Sequence, residues 1–359
     1  MVTVVGPLPP PLAGVPIHNE RLICALEQHG WTVMALTNGR LSANYRPATH
    51  LGNSHLRHFA EVLRREPDLL HVHDTRSSLT LAAVLAARLR HVPVVLTFHS
   101  APLTLTGRRR VTRLRSWSLR FADAVIAVHE HVAADLRPHS GSTPVSVVSP
   151  YLVPPEGVRA RTSAETEQWL RMHAEEPLAS FSVYRVLGRF PRRRDVYGVE
   201  TIALVADRLA ERDEMICLIM MLSQPPADRV ELRYLESRTV RMRAALGDRF
   251  HLAVGEPALP IIAQSSVFLR PTISDGDSIA VREALALGVP VVASDAAPRP
   301  PGTILYAVED VDDLVAKLLG APGSAVPPPR RGDDDAVAHV LDLYDAVLRS
   351  QARRGTLAR

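Results

Sequence analysis

The stretch from Asp275 to Asp295 reads DGDSIAVREALALGVPVVASD, and it decides the fold. Ser278 to Leu287 carries helical spacing of its apolar residues and stops at Gly288. Val289 to Ser294 is an aliphatic run too short for a helix and reads as a parallel strand buried on both faces. The order is therefore loop, helix, stop, strand. A helix start leaves backbone N–H groups unpaired and carries the positive end of the helix dipole, so the N–H groups of Ser278 and Ile279 form a place where phosphate oxygens can sit. Asp275, from the loop, and Glu283, one to two turns into the helix, can reach sugar or ribose hydroxyls. The stretch suits a phosphorylated, hydroxyl-rich ligand.

Working outward, the same alternation runs along most of the chain. Strand-like runs at Val2 to Val5, Thr32 to Leu36, Leu69 to Val72, Pro93 to Phe98 and Ala124 to Val128 alternate with helical patterns. Those patterns lie at Ile17 to Gln28, near Ser54 to Arg65, and at Ser78 to Leu89 and Arg110 to Arg120. A Pro-containing break from Ser149 to Pro155 and a polar helical insertion from Ser163 to Glu176 follow. A second series opens with Tyr184 to Leu187 as its first strand. It continues with a helix at Val199 to Arg212, Met215 to Met221, a long helix from Asp228 to Leu246, His251 to Val254 and Ser266 to Leu269. Such alternation predicts βαβ units in two doubly wound parallel sheets. The expected organisation is a first α/β domain over 1–152, a second over 153–335 ending in a linker from Ala321 to Asp335, and a terminal segment 336–359 whose helix, Ala336 to Arg349, returns to the first domain.

Composition narrows the chemistry. With 359 residues and 46% apolar side chains the chain can bury two ordinary cores. No apolar run approaches twenty residues and no basic segment leads into a long apolar one at the N-terminus, so a cytoplasmic protein is expected. Cys24 and Cys217 lack disulfide or zinc-ligand spacing and read as small core residues. The 42 basic residues comprise a single Lys, Lys317, and 41 Arg. A Walker phosphate loop, a protein kinase and a pyridoxal phosphate enzyme each need a specific Lys, and Lys317 lies in an ordinary late helix. Nucleic-acid binding is not expected, because the net charge is only +4 and no aromatic residues interleave with the Arg clusters.

These residues carry a resemblance. Asp275 to Ser294 resembles the E-x7-E segment of the retaining glycosyltransferases of family four, with Asp275 at the first acidic position and Glu283 at the second. The resemblance implies a GT-B fold, two facing Rossmann-like domains with a C-terminal crossover helix. It implies further that Glu283 holds ribose hydroxyls, that Asp275 holds hydroxyls of the donor sugar, and that the N–H groups of Gly276, Asp277, Ser278 and Ile279 hold the diphosphate. Asp for Glu and Ser278 for the usual second Gly are departures. Leu187-Gly188-Arg189 is similar to the family's VGR segment, whose Arg is implied to neutralise the diphosphate. Arg194 occupies the position of a partner Lys, within a run that also offers Arg192 and Arg193.

Pro93 to His99 reads PVVLTFH and looks like the family's T-x-H segment, whose His is implied to contact the donor sugar near the reacting carbon; a purely structural His99 is the other reading. His71 and His73 resemble a strand ending in H-x-H and are read as packing groups. Ala122 to Glu130 matches a strand running into a helix, with His129 in place of the usual Ser and facing the acceptor side. The first loop, Gly6 to Gly14, is unusually rich in Pro and keeps Gly14 as its acceptor-side candidate. Arg108 to Phe121 is basic with a narrow apolar stripe at Val111, Leu114 and Phe121, which fits either peripheral membrane contact or a packed helix with a solvated Arg face.

The expectation is a transferase that moves a sugar from a nucleoside-diphosphate-sugar to an acceptor hydroxyl with retention, the nucleotide on the second domain, the acceptor on the first and the reaction in the cleft. The acceptor would be a glycan, a lipid-linked glycan or a specialised metabolite. No organic cofactor and no metal are expected; Asp275-Gly-Asp277 has the D-x-D pattern of metal-dependent enzymes but sits at a helix entrance rather than a strand end. Two rivals share the fold: a nucleotide-sugar 2-epimerase, and a degenerate copy that only binds a partner.

Overall fold

The computed structural model describes residues 1–37, 48–52, 54–73, 77–100, 109–154, 161–188, 193–326 and 336–357. The chain divides into two compact units. The first comprises Met1–Pro10, Gly14–Glu156 and Arg331–Arg359, and the second comprises Pro11–Ala13 and Gly157–Arg330.

The strands of unit 1 are β1 (Val2–Val5), β2 (Val33–Thr37), β3 (Thr49–His50), β4 (Leu69–His73), β5 (Val94–Phe98), β6 (Ala124–Ala127) and β7 (Val145–Val147). They form one parallel sheet in the order β3-β2-β1-β4-β5-β6-β7. Successive side chains of a strand face opposite ways, and the two cores follow that parity. Leu70, Val72, Val94 and Leu96 pack with the helices Ser77–Leu89 and Glu130–Ser140 on one face. Val2, Val4, Val95 and Ile126 pack on the other face with Leu22, Ile23 and Leu26 of the helix Gly14–Gln28 and with Ala336, Val340 and Tyr344 of the terminal helix Ala336–Leu357. The terminal helix is thus an integral layer of unit 1.

Unit 2 holds β8 (Leu178–Val183), β9 (Cys217–Leu222), β10 (Phe250–Val254), β11 (Val267–Arg270), β12 (Val291–Ser294) and β13 (Ile304–Tyr306), all parallel in the order β10-β9-β8-β11-β12-β13. Phe181, Met220 and Leu269 face the helices Val199–Glu211, Arg229–Leu246 and Val311–Gly320. Ile219, Phe268 and Val291 face Val281, Ala284 and Leu285 of the helix Ile279–Ala286. Each fully buried aliphatic or aromatic side chain contributes about 1.5–3 kcal/mol, so both faces of both sheets are heavily stabilised.

One strand assignment is corrected. Tyr184 to Leu187 is not the first strand of unit 2; that strand is Leu178–Val183, and the chain bends away after it. The mixed run LASFSV lacks the continuous aliphatic character of the neighbouring strands, because Ser180 sits in the sheet by hydrogen bonding to Ser265 Oγ at 2.7 Å. Gly188 consequently lies in the loop beyond the strand instead of closing it. The helix anticipated to stop at Arg349 continues to Leu357.

Candidate functional site

In a doubly wound sheet, ligands bind outside the carboxyl ends of the strands where the order reverses. In unit 2 the chain runs from β8 outward to β10, then returns beside β8 to start β11, so the reversal lies between β8 and β11. The loops leaving these two strands carry Gly188, Arg193 and Arg194 on one side and Asp275 to Ser278 on the other.

Backbone contacts pin the two loops together. Gly188 N donates to Arg194 O at 2.7 Å within the first loop, and Ile273 N donates to Val196 O at 3.0 Å between the two. Gly198 has φ +73°, and a Cβ there would stand 2.2 Å from the Pro271 carbonyl oxygen, so no side chain fits. Arg189 and Arg192 lie outside the described residues. Arg193 is committed to Asp228 through paired bonds of 3.0 and 2.6 Å. Arg194 is exposed, with no hydrogen bond or ion pair from its side chain among the described residues.

Ser278 is the N-cap of the helix Ile279–Ala286, its Oγ accepting from Val281 N at 3.4 Å. Glu283 is buried in this helix, and Gly288, at φ +74°, follows its last turn. The N–H of Gly276 is already given to Asp275 Oδ1 at 3.1 Å, so within this loop the phosphate-binding capacity falls to the groups nearer the helix start.

Asp275 is not the open carboxylate that the sequence suggests. Its Oδ2 accepts from Arg270 Nε at 2.8 Å, Arg299 Nη1 at 2.8 Å and Thr272 Oγ1 at 3.3 Å. Its Oδ1 accepts from Arg270 Nη2 at 3.1 Å as well as from Gly276. An ionised carboxylate offers about four lone-pair sites, and five donors fill them. Burial would raise the Asp275 pKa, but Arg270 and Arg299 outweigh it and hold the group down at about 2. Asp277 is likewise taken, by Arg282 with bonds of 2.8 Å from Nε to both oxygens. Both carboxylates of the D-x-D are therefore engaged by guanidinium groups. Arg270 ends a strand that reads as pure core, and Arg299 sits in a Pro-rich loop 24 residues downstream of Asp275; neither position signals the pairing in sequence.

In unit 1 the reversal lies between β1 and β4. His73 ends β4, and its Nδ1 is 3.1 Å from Nε2 of His99, which follows β5. His18, unremarked in the sequence, comes from the helix Gly14–Gln28. Its Nδ1 donates to the Pro150 carbonyl at 2.7 Å, and its ring centroid is 5.3 Å from that of His73 and 4.9 Å from that of His99. His71 is the packing group expected of it, held by Tyr344 Oη at 2.5 Å and Thr97 Oγ1 at 2.7 Å. Burial lowers all four imidazoles, His18 to about 4, His71 to about 3, and His73 and His99 well below the usual histidine value. All four are neutral near pH 7.

Gly14 opens the helix that carries His18. His129 is the N-cap of the helix Glu130–Ser140, its Nδ1 accepting from His131 N at 3.3 Å. Of the basic stretch, Arg108 lies outside the described residues, while the helix Arg109–Phe121 exposes Trp117 by 54% and Phe121 by 43%, one turn apart on a single face. Val111 and Leu114 are half-buried. Among the described residues, no helix is long and apolar enough to cross a membrane. Cys217 is buried and Cys24 half-buried.

Comparison with known proteins agrees with this geometry. Residues 12–151 match the family described as Glycosyltransferase Family 4, and residues 185–321 match Glycosyl transferases group 1. A phosphatidyl-myo-inositol mannosyltransferase of Propionibacterium freudenreichii subsp. shermanii is 29% identical over 230 residues, a match that covers 64% of this chain and 52% of that protein. The chain thus spans about half the length of the curated relative it matches. Among solved structures, a sucrose-phosphate synthase from Thermosynechococcus elongatus superposes with a TM-score of 0.66 at 16% identity, covering 100% of this chain and 99% of the other. Anabaena HepE, solved in complex with UDP-glucose, gives 0.67 at 13%, covering 99% of each chain. A UDP-GlcNAc 2-epimerase from Neisseria meningitidis gives 0.59 at 17%, covering 96% and 98%. These likenesses show a GT-B fold of two parallel-sheet α/β domains.

Proposed function

We propose that this chain, which belongs to glycosyltransferase family four, transfers a sugar from a nucleoside-diphosphate-sugar to an acceptor hydroxyl with retention of configuration and without a metal at the donor diphosphate. The observation that carries this reading is the junction in unit 2. There the loop that runs on to the Ser278-capped helix start and the loop bearing Gly188 and Arg194 both leave the sheet at its reversal, joined by the Ile273–Val196 bond and by Gly198 against Pro271. An anionic diphosphate is suited by such a helix start and by the unengaged Arg194 guanidinium, with Arg189 as the second cation. Glu283 then takes the ribose hydroxyls. Catalysis is electrostatic: Arg189, Arg194 and the helix start stabilise the leaving diphosphate while the sugar gains oxocarbenium character, and the phosphate accepts the acceptor's proton.

UDP-sugars are the first donors to try, since the neighbouring structures are named with UDP-glucose and UDP-GlcNAc. A lipid or lipid-linked acceptor is favoured by the curated relative's name and by the exposed Trp117 and Phe121 on an Arg-rich helix, a pairing suited to an anionic membrane surface. The saturated Asp275 carboxylate specifically favours a second reading, the non-catalytic binding copy. Incubation with a panel of nucleotide sugars separates them: a transferase slowly releases nucleoside diphosphate, a 2-epimerase converts the sugar, and a binding copy does neither. Absence of both turnover and binding across the panel would reject the transferase reading.

A further inference from the structure

We infer that His18, His73 and His99 form a binding site in unit 1 for a divalent transition-metal ion of the zinc type. One ligand nitrogen of each ring lies within 4.8 Å of the other two. Three imidazole nitrogens bound tetrahedrally at about 2.0–2.1 Å from zinc stand about 3.3 Å apart, so side-chain rotation of little more than 1 Å brings the set to ligand geometry. The rings come from one helix and two strand ends of a packed sheet, which fixes their positions before any ion arrives.

The hydrogen-bond inventory rejects the fourth ring and leaves these three available once a cation displaces the proton shared between His73 and His99. His71 spends both nitrogens, on Tyr344 and Thr97, and has no lone pair to give. His18 donates its Nδ1 proton to the Pro150 carbonyl, which leaves Nε2 as a lone pair and holds the ring as a backbone carbonyl holds a metal-bound histidine. His73 and His99 share a single contact, and His73 Nε2 is buried with no hydrogen-bond partner. A buried ring nitrogen without a partner is unfavourable, and a cation satisfies one that carries its lone pair. Asn19, which flanks Gly6 together with His73, also leaves its buried Oδ1 without a partner.

The donor set agrees with this assignment. Nitrogen-only donors suit Zn(II), Co(II), Ni(II) or Cu(II) and not Mg(II) or Ca(II). With three protein ligands the fourth position stays open to water or to an oxygen of a bound molecule. In the other compact cluster, His173, Glu176 and Cys217, the His173 Nε2 is also buried without a partner, but the remaining ligand atoms are spent on one another. His173 Nδ1 meets Glu176 Oε1 at 3.1 Å, Cys217 Sγ donates to Glu176 Oε2 at 3.0 Å, and burial followed by Glu176 pushes the thiol far up, away from thiolate. Nothing in the spacing of residues 18, 73 and 99 announces the site, and it does not rest on the transferase reading.

The test is to strip the full-length protein with a chelator, titrate Co(II) and Zn(II), and compare it with His18→Gln, His73→Gln and, as a control, His173→Gln. One equivalent of Co(II) with the intense visible bands of low-coordinate cobalt, displaced by Zn(II), is expected for the unaltered protein and for His173→Gln. In His18→Gln and His73→Gln those bands should vanish, and Zn(II) affinity should fall by more than the roughly 10- to 100-fold that losing a merely orienting hydrogen bond causes. Circular dichroism shows whether each variant is folded. Weak, octahedral-type cobalt absorption in the unaltered protein would overturn the site without reference to any variant. Unchanged affinity in folded His18→Gln and His73→Gln would do the same.

Discussion

Asp275 Oδ2 and Arg299 Nη1 lie 2.8 Å apart in an ion pair whose guanidinium side chain is only 2% exposed. A buried pair of this kind contributes little net stability when intact, but removing one partner strands the other, at a cost of about 3–5 kcal/mol. Asp275→Asn strands both Arg270 and Arg299, whereas Arg299→Met leaves Asp275 paired with Arg270, so Asp275→Asn should lower the urea midpoint more than Arg299→Met, and the double variant should lose less than the sum of the two. Additive losses in the double variant would show that the pair is not coupled.

Asp275 also predicts behaviour in acid. Its folded pKa is depressed to about 2, below the roughly 3.9 of an unfolded Asp. The stability it supplies is thus complete above that unfolded value and is lost as the pH falls towards 2. Acid titration of the urea midpoint should show a steeper fall between about pH 4 and 2 in the unaltered protein than in Asp275→Asn. Parallel curves would remove Asp275 from the acid transition.

Gly198 is where loop geometry is enforced. Its Cβ position lies against backbone, the Pro271 carbonyl, which cannot move aside as a flexible side chain can. Gly247, at φ +64° and ψ −129°, has open space around it and carries only backbone strain, of about 1–3 kcal/mol. Gly198→Ala should cost more stability than Gly247→Ala and should weaken nucleotide-sugar binding even where it remains folded. Equal effects of the two substitutions on binding would mean that the loop contact does not shape the site.

Much of the frame was legible because it rests on local signals. The Ser278 cap, the stop at Gly288 and the aliphatic run of β12 are consecutive in sequence, so pattern and structure coincide there. The first strand of unit 2 was misplaced because Ser180 and Ser182 interrupt its apolar run, their compensating partners lying far away in the chain. The same limit hid Arg270 and Arg299. A buried charge is recognised by its partner, and Arg299 meets Asp275 only after the chain has passed through a helix and a strand. His18 escaped notice for a related reason, since its companions arrive 55 and 81 residues later from two strand ends.

The buried histidines give the folded state a weakness at mildly acidic pH. Burial holds His18 at about 4 and His71 at about 3, against about 6.5 when unfolded. Below pH 6.5 the unfolded chain takes up protons that the folded chain refuses, so stability falls as the pH drops from about 6.5 towards 4. Each such histidine steepens the fall by about 1.4 kcal/mol per pH unit. Metal-free His71→Gln should show a shallower decline in the urea midpoint than the metal-free unaltered protein. An unchanged slope would mean that His71 is not held neutral.

Glu283 separates a nucleotide-sugar site from a merely well-formed helix. It is 3% exposed within the helix that Ser278 caps. Glu283→Gln keeps the shape while removing the charge that would strengthen bonds to ribose hydroxyls. Hydrogen bonds to a charged group contribute about 1.5–3 kcal/mol each, so the dissociation constant of a UDP-sugar should rise roughly 10- to 150-fold in calorimetry. Thermal unfolding without ligand controls for the loss of a buried charge, since a purely structural Glu283 would shift the melting temperature and leave the affinity of the folded fraction alone. Asp275→Asn should weaken binding only indirectly, through displacement of Arg270 and the loop. A loss for Asp275→Asn as large as that for Glu283→Gln, in a variant with an unmoved loop, would instead mean that the Asp275 carboxylate leaves its guanidinium partners to hold the ligand.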